Sequence, residues 1–309
     1  MKQKITIGTR GSNLAMYQAN AVKNAILNNF DNIDVEIKKI ETKGDKILDI
    51  ALSKIGDKGI FTAEIETELL NGQIDFAVHS LKDMPTQLPE NLEITAVLKR
   101  GEFRDALVSK TAKDLYSFSP DDIVATSSLR RKAQLLHINQ NLKIIDIRGN
   151  VNTRLKKYDQ GHCSAMLMAA AGLQRLDLQD RITSIINEDI IIPAACQGII
   201  AIETCNNNNF AKQIAQKINH LPTQIVANTE RYFLKLINAG CKTPFGCYTK
   251  FNGNQLKIKA FVSSLNGQEF ILRTIVGDSS RAMELVEKIA NDILKNGGND
   301  ILKNINKNS

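Results

Sequence analysis

The residues able to do chemistry are concentrated in a few short stretches of the 309-residue chain. In IDFAVHSLKDMP an apolar run is followed by Lys82 and Asp83, then by Met84 and Pro85, where the proline stops any continuing helix. A lone Asp in a loop is ordinarily a cap or a turn former. Amid cations it becomes a candidate acid/base, or a counter-ion for a cationic intermediate. The cations are arginines. Of the 40 Lys and Arg residues only 12 are Arg, and six of these (Arg10, Arg130, Arg131, Arg148, Arg154, Arg175) stand just past predicted strands or in the first turn of the next helix. Guanidinium is the planar fork that grips carboxylate or phosphate bidentately. Cations at a helix start also oppose the macrodipole, so Arg130 and Arg131 need a compensating anion. The pattern points to anion binding at the carboxyl edge of an α/β sheet, where Ser12, Thr126, Ser127 and Ser128 add hydroxyl and helix-start N–H donors.

A thiol is the second reactive candidate. Cys241 lies in NAGCKTPFGC between Gly240 and Lys242, a loop position whose cationic neighbour favours thiolate; a small buried thiol is the bland alternative. Thr229, Glu230 and Arg231, just upstream, could brace this loop. The stretch TKGDKILDIALSKIGDKGIF sets Gly44, Gly56 and Gly59 among Lys43, Lys46, Lys54 and Lys58. It lacks the order of a P-loop and reads as a mobile basic lid ending at Phe61.

The elements that must position these groups follow an α/β alternation. Strands are predicted at Ile5 to Gly8, Val35 to Ile40, Phe76 to His79, Ile94 to Leu98, Ile123 to Thr126, Ile144 to Ile147 and Ala165 to Ala169. Helices are predicted at Ala15 to Asn28, Thr62 to Asn71, Leu129 to Ile138, Asn152 to Tyr158 and Gly172 to Leu176. The texture changes near Pro222. A strand from Lys257 to Val262, an Asn266-Gly267 turn, a strand from Phe270 to Val276 and a helix with Ala282, Leu285, Val286, Ile289 and Ile293 on one face make a small α+β domain. The tail after Gly297 is expected to fray. KRGEFR (99 to 104) and the stretch Pro193 to Gly198 read as two crossings between the first two domains, which makes a hinged cleft. The expected boundaries are 1–98 with 199–218 for domain 1, 99–198 for domain 2, and 219–309 for domain 3.

Composition excludes several classes. With 43% hydrophobic residues the chain can build real cores, no apolar run reaches the roughly 18 residues of a membrane span, and MKQKITIGTR lacks the features of a signal peptide. A soluble cytoplasmic protein is expected. Five cysteines without C-x-x-C pairing argue against a disulfide framework or a zinc ribbon, and no metal site is expected. A net charge of +7 permits an acidic partner, but 5% aromatics and no helix-long basic face fit nucleic acid poorly. A non-catalytic anion-binding protein of the same two-lobed fold would explain the arginines but neither Cys241 nor Asp83.

GTRGSNLA, ETKGDKILD, GDKGIFTAEIE, DFAVHSLKDMP, ATSSLRRKAQL, IRGNVNTRL, PAACQG and AGCKTPFG, in this order, resemble the porphobilinogen deaminase (hydroxymethylbilane synthase) family over nearly the whole chain. The resemblance implies two α/β domains like periplasmic binding proteins, forming a cleft, and a small α+β C-terminal domain. It implies one covalent dipyrromethane cofactor per chain, held by Cys241 through a thioether. The activity implied is a transferase that condenses four porphobilinogen molecules into hydroxymethylbilane with release of ammonia. Asp83 is the implied catalytic residue. Lys82, Asp83, Ser128, Arg130, Arg131 and Arg148 are implied to bind the cofactor, and Arg10, Ser12, Arg148, Arg154 and Arg175 the substrate carboxylates. Lys54, Lys58 and Phe61 belong to the covering loop. A monomer is expected, with transient hand-off to uroporphyrinogen-III synthase. The family usually has a small non-thiol residue, often Gly, where PAACQG has Cys196, a second thiol near the predicted hinge.

Overall fold

The structure, a computed structural model, describes residues 3–46, 59–238 and 243–307. The described residues fall into two compact units, one of 3–46, 59–101 and 198–225, the other of 102–197, 226–238 and 243–307. The second unit thus holds together what the sequence separates as domains 2 and 3.

The first unit is built on a five-stranded sheet of order β2-β1-β3-β10-β4, with β1 at Gln3–Thr9, β2 at Ile33–Lys39, β3 at Phe76–Ser80, β4 at Leu92–Val97 and β10 at Ile200–Cys205. Strands β1, β2 and β3 run parallel; β10 is antiparallel to both its neighbours. Helix α1 (Asn13–Leu27) buries Ala15, Ala19, Val22 and Ile26, the spacing of one helical face. Together with α7 (Asn209–Lys217) it covers the side of the sheet that presents Ile5, Ile7, Phe76, Val78, Ile200 and Ile202. On the opposite side α3 (Ala63–Leu70) packs Ile65 and Leu69 against Ala77 and Cys205. Each such side chain contributes about 1.5–3 kcal/mol on burial.

The second unit carries a sheet of the same plan, order β7-β6-β8-β5-β9, with β5 at Asp105–Ser109, β6 at Ile123–Ala125, β7 at Lys143–Ile145, β8 at Ala165–Ala169 and β9 at Ser184–Ile185. Here β6, β7 and β8 are parallel and β5 is the antiparallel member. Helices α4 (Leu129–Ile138), α5 (Val151–Asp159) and the short α6 (Ala170–Gln174) each start one to six residues past a parallel strand. A separate three-stranded antiparallel sheet of β11 (Phe245–Asn252), β12 (Gln255–Ser263) and β13 (Phe270–Asp278) packs against α8 (Leu221–Ile237) and α9 (Ala282–Ile293). Among the described residues no helix is long and apolar enough to cross a membrane.

Some elements depart from the sequence reading. The tail does not fray. Gly297, with φ of 107°, reverses the chain after α9, and α10 (Asn299–Lys307) then lays Ile301 and Ile305 into the C-terminal core, 3% and 5% exposed. Strands β5, β9, β10 and β11 and helix α7 were not expected, and of α8 only the helical-looking Thr229, Glu230 and Arg231 were. Glu203 inside β10 broke the apolar run that marks a buried strand, and Pro193 and Gly198 drew attention to the crossing instead. Cys196 has a left-handed φ of 62°, a conformation that favours glycine. Its amide donates to buried Glu230, which also accepts from Thr249 N, at 2.5 and 2.6 Å. Glu230 therefore ties the second crossing to β11.

The Asn266-Gly267 turn docks on the end of α4. Gly267 O faces His137 Nδ1 at 2.9 Å, Gln140 Nε2 donates to Asn266 O, and the His137 ring stacks on Phe270 with centroids 4.2 Å apart. Gly267 has φ of 73°, and a Cβ there would lie 2.3 Å from Ala133 O. Gly267→Ala is therefore expected to lose about 1–3 kcal/mol of stability through strain, measured by urea unfolding; an unchanged midpoint would show that the turn does not dock.

Candidate active site

Arg10, Ser12, Phe61, His79, Ser80 and Asp83 line one pocket of the first unit, about 70 Å³ in volume. It lies at the carboxyl ends of β1 and β3, as parallel-sheet topology favours. β1 hands over to Arg10, and Ser12 caps α1 by accepting from Ala15 N at 3.3 Å. β3 runs into the 3₁₀ turn Leu81–Asp83, which leaves Leu81 buried and the Asp83 carboxylate exposed. Lys82, in the same turn, is half-buried. The predicted acid and two of the predicted anion binders are thus brought together.

Arg10 already holds a carboxylate. Its Nε donates to Asp45 Oδ1 at 3.1 Å and its Nη2 pairs with the same oxygen, while its guanidinium lies 4.2 Å from the Phe61 ring centroid. Burial would raise the Asp45 pKa, but hydrogen bonds from Arg10 and Thr42 and the Arg10 charge hold it below the usual carboxylate range. Asp45 sits in α2 (Lys43–Lys46), and nothing in the sequence reading marked it. Lys54 and Lys58, assigned to the covering loop, lie outside the described residues, as does Cys241.

In the second unit Ser128 caps α4, accepting from Arg131 N. Arg130 and Arg131 then point inward. Both are buried, 7% and 6% exposed, and share Asp105, which is fully buried. Arg130 Nη2 lies 2.8 Å from Asp105 Oδ2 and Arg131 Nη2 lies 2.7 Å from Oδ1. Gln197 Nε2 donates to Oδ1 as well, and the arginines also donate to the carbonyls of Ile192 and Leu167. The anion that the helix start required is thus the chain's own. Asp105 pairs with Ala169 at the start of β5, which places it at the carboxyl end of β8. Burial would raise the Asp105 pKa, yet the charges of Arg130 and Arg131 and the hydrogen bonds from Arg131 and Gln197 hold it far below the usual carboxylate range. Burial and Arg131 pull the Arg130 pKa down against Asp105, but arginine stays protonated throughout. One donor of this cluster, Arg131 Nε, is buried without a hydrogen-bond partner among the described residues.

The remaining arginines of this edge are half-buried. Arg148 follows β7 by three residues, Arg154 donates from Nε to Gly149 O at 2.8 Å, and Arg175 closes α6. All four described cysteines, Cys163, Cys196, Cys205 and Cys247, are buried, and burial pushes the Cys163 thiol pKa up. Sequence reasoning missed Asp105, Asp45 and Gln197. For Asp105 a signal was present, since FRDALVS sets an acid directly against an apolar run.

Asp105→Asn is expected to cost about 3–5 kcal/mol at neutral pH, because it leaves two guanidinium groups buried without their counter-charge. A depressed carboxyl pKa contributes stability above the unfolded value near 3.9 and loses it as pH falls toward the folded value. The stability gap between wild type and variant, followed by urea unfolding, should therefore narrow below about pH 4. A gap that stays constant down to acid would refute the pairing.

Comparison with known proteins adds the following. The profile described as "Porphobilinogen deaminase, dipyromethane cofactor binding domain" matches residues 5–213, and "Porphobilinogen deaminase, C-terminal domain" matches residues 225–295. The chain is 40% identical over 306 residues to the porphobilinogen deaminase of Chloroherpeton thalassium, covering 98% of each chain. It is 41% identical over 310 residues to that of Chlorobaculum tepidum, covering 99% of each. Among solved structures it is similar to the methionine binding protein MetQ, with 13% identity, a TM-score of 0.45, and 70% of this chain and 88% of that one covered.

Proposed function

Because the chain belongs to the porphobilinogen deaminase family, we propose that it condenses four porphobilinogen molecules head to tail on a dipyrromethane primer, releasing ammonia and hydroxymethylbilane. The observation that carries this reading is the pocket in which Asp83 shares its walls with Arg10 and Ser12. Each porphobilinogen brings an acetate and a propionate, so the growing chain is a polycarboxylate. Deamination leaves a cationic methylene-pyrrole. An exposed carboxylate beside anion-binding groups suits both needs, since Asp83 can face the cation while the arginines grip the arms.

The residues fit the cofactor as well. The unpartnered Nε of buried Arg131 is a donor that a cofactor carboxylate would satisfy, and Ser128 and Arg148 stand at the same sheet edge. In this reading Lys82, Asp83, Ser128, Arg130, Arg131 and Arg148 hold the cofactor, and Cys241 bonds it covalently. When bound, the cofactor supplies the nucleophilic pyrrole carbon that starts the chain. Arg10, Ser12, Arg148, Arg154 and Arg175 take substrate carboxylates, and Lys54, Lys58 and Phe61 cover them. Asp83 stabilises the positive charge and accepts a proton. For Arg10 to bind substrate, a substrate carboxylate has to displace Asp45. Transferase chemistry, a monomeric state, a cytoplasmic location, a three-domain division and hand-off to uroporphyrinogen-III synthase belong to the same proposal.

Attachment is tested by intact mass and Ehrlich's reagent. Wild type should carry a two-pyrrole adduct that maps to Cys241, and Cys241→Ser should fold, lack the adduct and make almost no product. An adduct on Cys196 or Cys247 would overturn the assignment. Catalysis is tested on protein preloaded with cofactor. Asp83→Glu keeps the charge but moves it by one methylene, at a cost of roughly 10²-fold in single-turnover rate. Asp83→Asn loses both charge and proton acceptor and should be slower still, since acid/base work alone contributes about 10²–10⁴-fold. Preloaded Asn enzyme turning over like wild type would reduce Asp83 to a loop former.

A further inference from the structure

A buried ionisable cluster adjoins the pocket and is not used by the chemistry above. His79 pairs with Ala201 across β3 and β10, so Glu203, two residues along, is its diagonal neighbour on the same face of the sheet. Helix α3 covers that face and brings in Glu66. His79, Glu203 and Glu66 are 5%, 0% and 6% exposed, and His79 Nε2 lies 3.3 Å from Glu203 Oε2. Around them are Ile65, Leu69, Ala77 and Cys205. Among the described residues His79 Nε2, both Glu203 oxygens and Glu66 Oε1 have no hydrogen-bond partner. Burying such groups unsatisfied is unfavourable, and apolar side chains would fill this layer at less cost. His79 connects this cluster to the pocket, which it lines together with Arg10 and Asp83. Burial and the charge of Glu203 also push the Glu66 pKa up, against Thr62 and His79.

We propose that His79, backed by Glu203 and Glu66, is the internal proton acceptor of this pocket. The inference rests on the condensation reading. In each condensation the aminomethyl C–N bond breaks and its electron pair leaves with ammonia, a pyrrole π pair forms the new C–C bond, and the attacking carbon regains its pair from the C–H bond. One proton is left over per cycle. Asp83 takes it, and His79 accepts it from Asp83, restoring the carboxylate for the next addition. Glu203 stabilises the imidazolium until the proton passes to solvent or to the departing ammonia as ammonium. His79 acts through Asp83 and is a relay and positioning group. The charged groups facing it are Glu203 from β10, Glu66 from α3, and Arg10 and Asp83 across the pocket, with Arg10 paired to Asp45.

The test uses cofactor-loaded holoenzyme and the pH dependence of kcat. Glu203→Gln removes the carboxylate that favours imidazolium, so the acid limb of kcat should move toward lower pH. His79→Gln should lower kcat roughly tenfold to a hundredfold with KM within about twofold, and abolish that limb. An acid limb that persists in His79→Gln, or a profile unmoved in Glu203→Gln despite a lower Tm, overturns the relay and leaves the condensation reading intact. A wild-type holoenzyme that makes no hydroxymethylbilane overturns that reading, and the relay with it.

Discussion

One carboxylate with no exposed surface, pinned between two guanidinium groups, is the constraint on which the second unit depends. Asp105 opens β5, Arg130 and Arg131 open α4, and Gln197 comes from the crossing that leads to β10. Three separate pieces of chain are therefore fixed at one point of the sheet edge. Desolvating three charges costs several kcal/mol per ion, recovered only when nearly every donor and lone pair is engaged. The carbonyls of Ile192 and Leu167 supply most of the remaining partners. The single donor left over, Arg131 Nε, shows where the cluster is still short of an acceptor. A polar cluster of this kind fixes geometry more than it adds stability, and binding sites gain from positions held that firmly.

The first unit solves the same problem with less burial. Arg10 is a quarter exposed and meets Asp45, also a quarter exposed, against the Phe61 ring. Such a pair is screened by water and contributes little. The arginines of the two units thus differ in kind. Arg130 and Arg131 are locked by the fold, while Arg10 is held by a single, partly exposed carboxylate.

How far the sequence reveals this follows from what each residue is buried against. Helix α4 was predicted at its observed bounds, because Ser128 announces the cap and Leu135 and Ala133 mark the inner face. Strand β8 was likewise legible as an uninterrupted apolar run. The clustering of arginines at strand ends was legible too, since it is a property of local order along the chain. Their partners were not, because Asp105 lies 25 and 26 positions from the two arginines and meets them only when β5 inserts antiparallel beside β8. The same reason hid the His79–Glu203 contact, which depends on β10 returning to the first sheet after a hundred residues elsewhere. Periodicity reports which face a residue occupies, and says nothing of which distant strand will lie beside it. The terminal helix failed for a different reason. Its lysines and asparagines raise the polarity of the segment, while only Ile301 and Ile305, four residues apart, carry the buried stripe.

Burial also bears on the choice of thiol. A covalent attachment at one cysteine of five requires the others to stay silent, and thiolate rather than thiol is the reacting species. Cys247 is the third residue of β11 and fully buried in the C-terminal core, and Cys196 is 1% exposed with its Sγ 3.8 Å from Ala227 O. An apolar surrounding raises a thiol pKa, as it does at Cys163, and removes access at the same time. Cys196 also has a left-handed backbone. A residue there costs conformational strain that glycine avoids. Among the described residues, burial therefore withdraws Cys163, Cys196, Cys205 and Cys247 alike from attack.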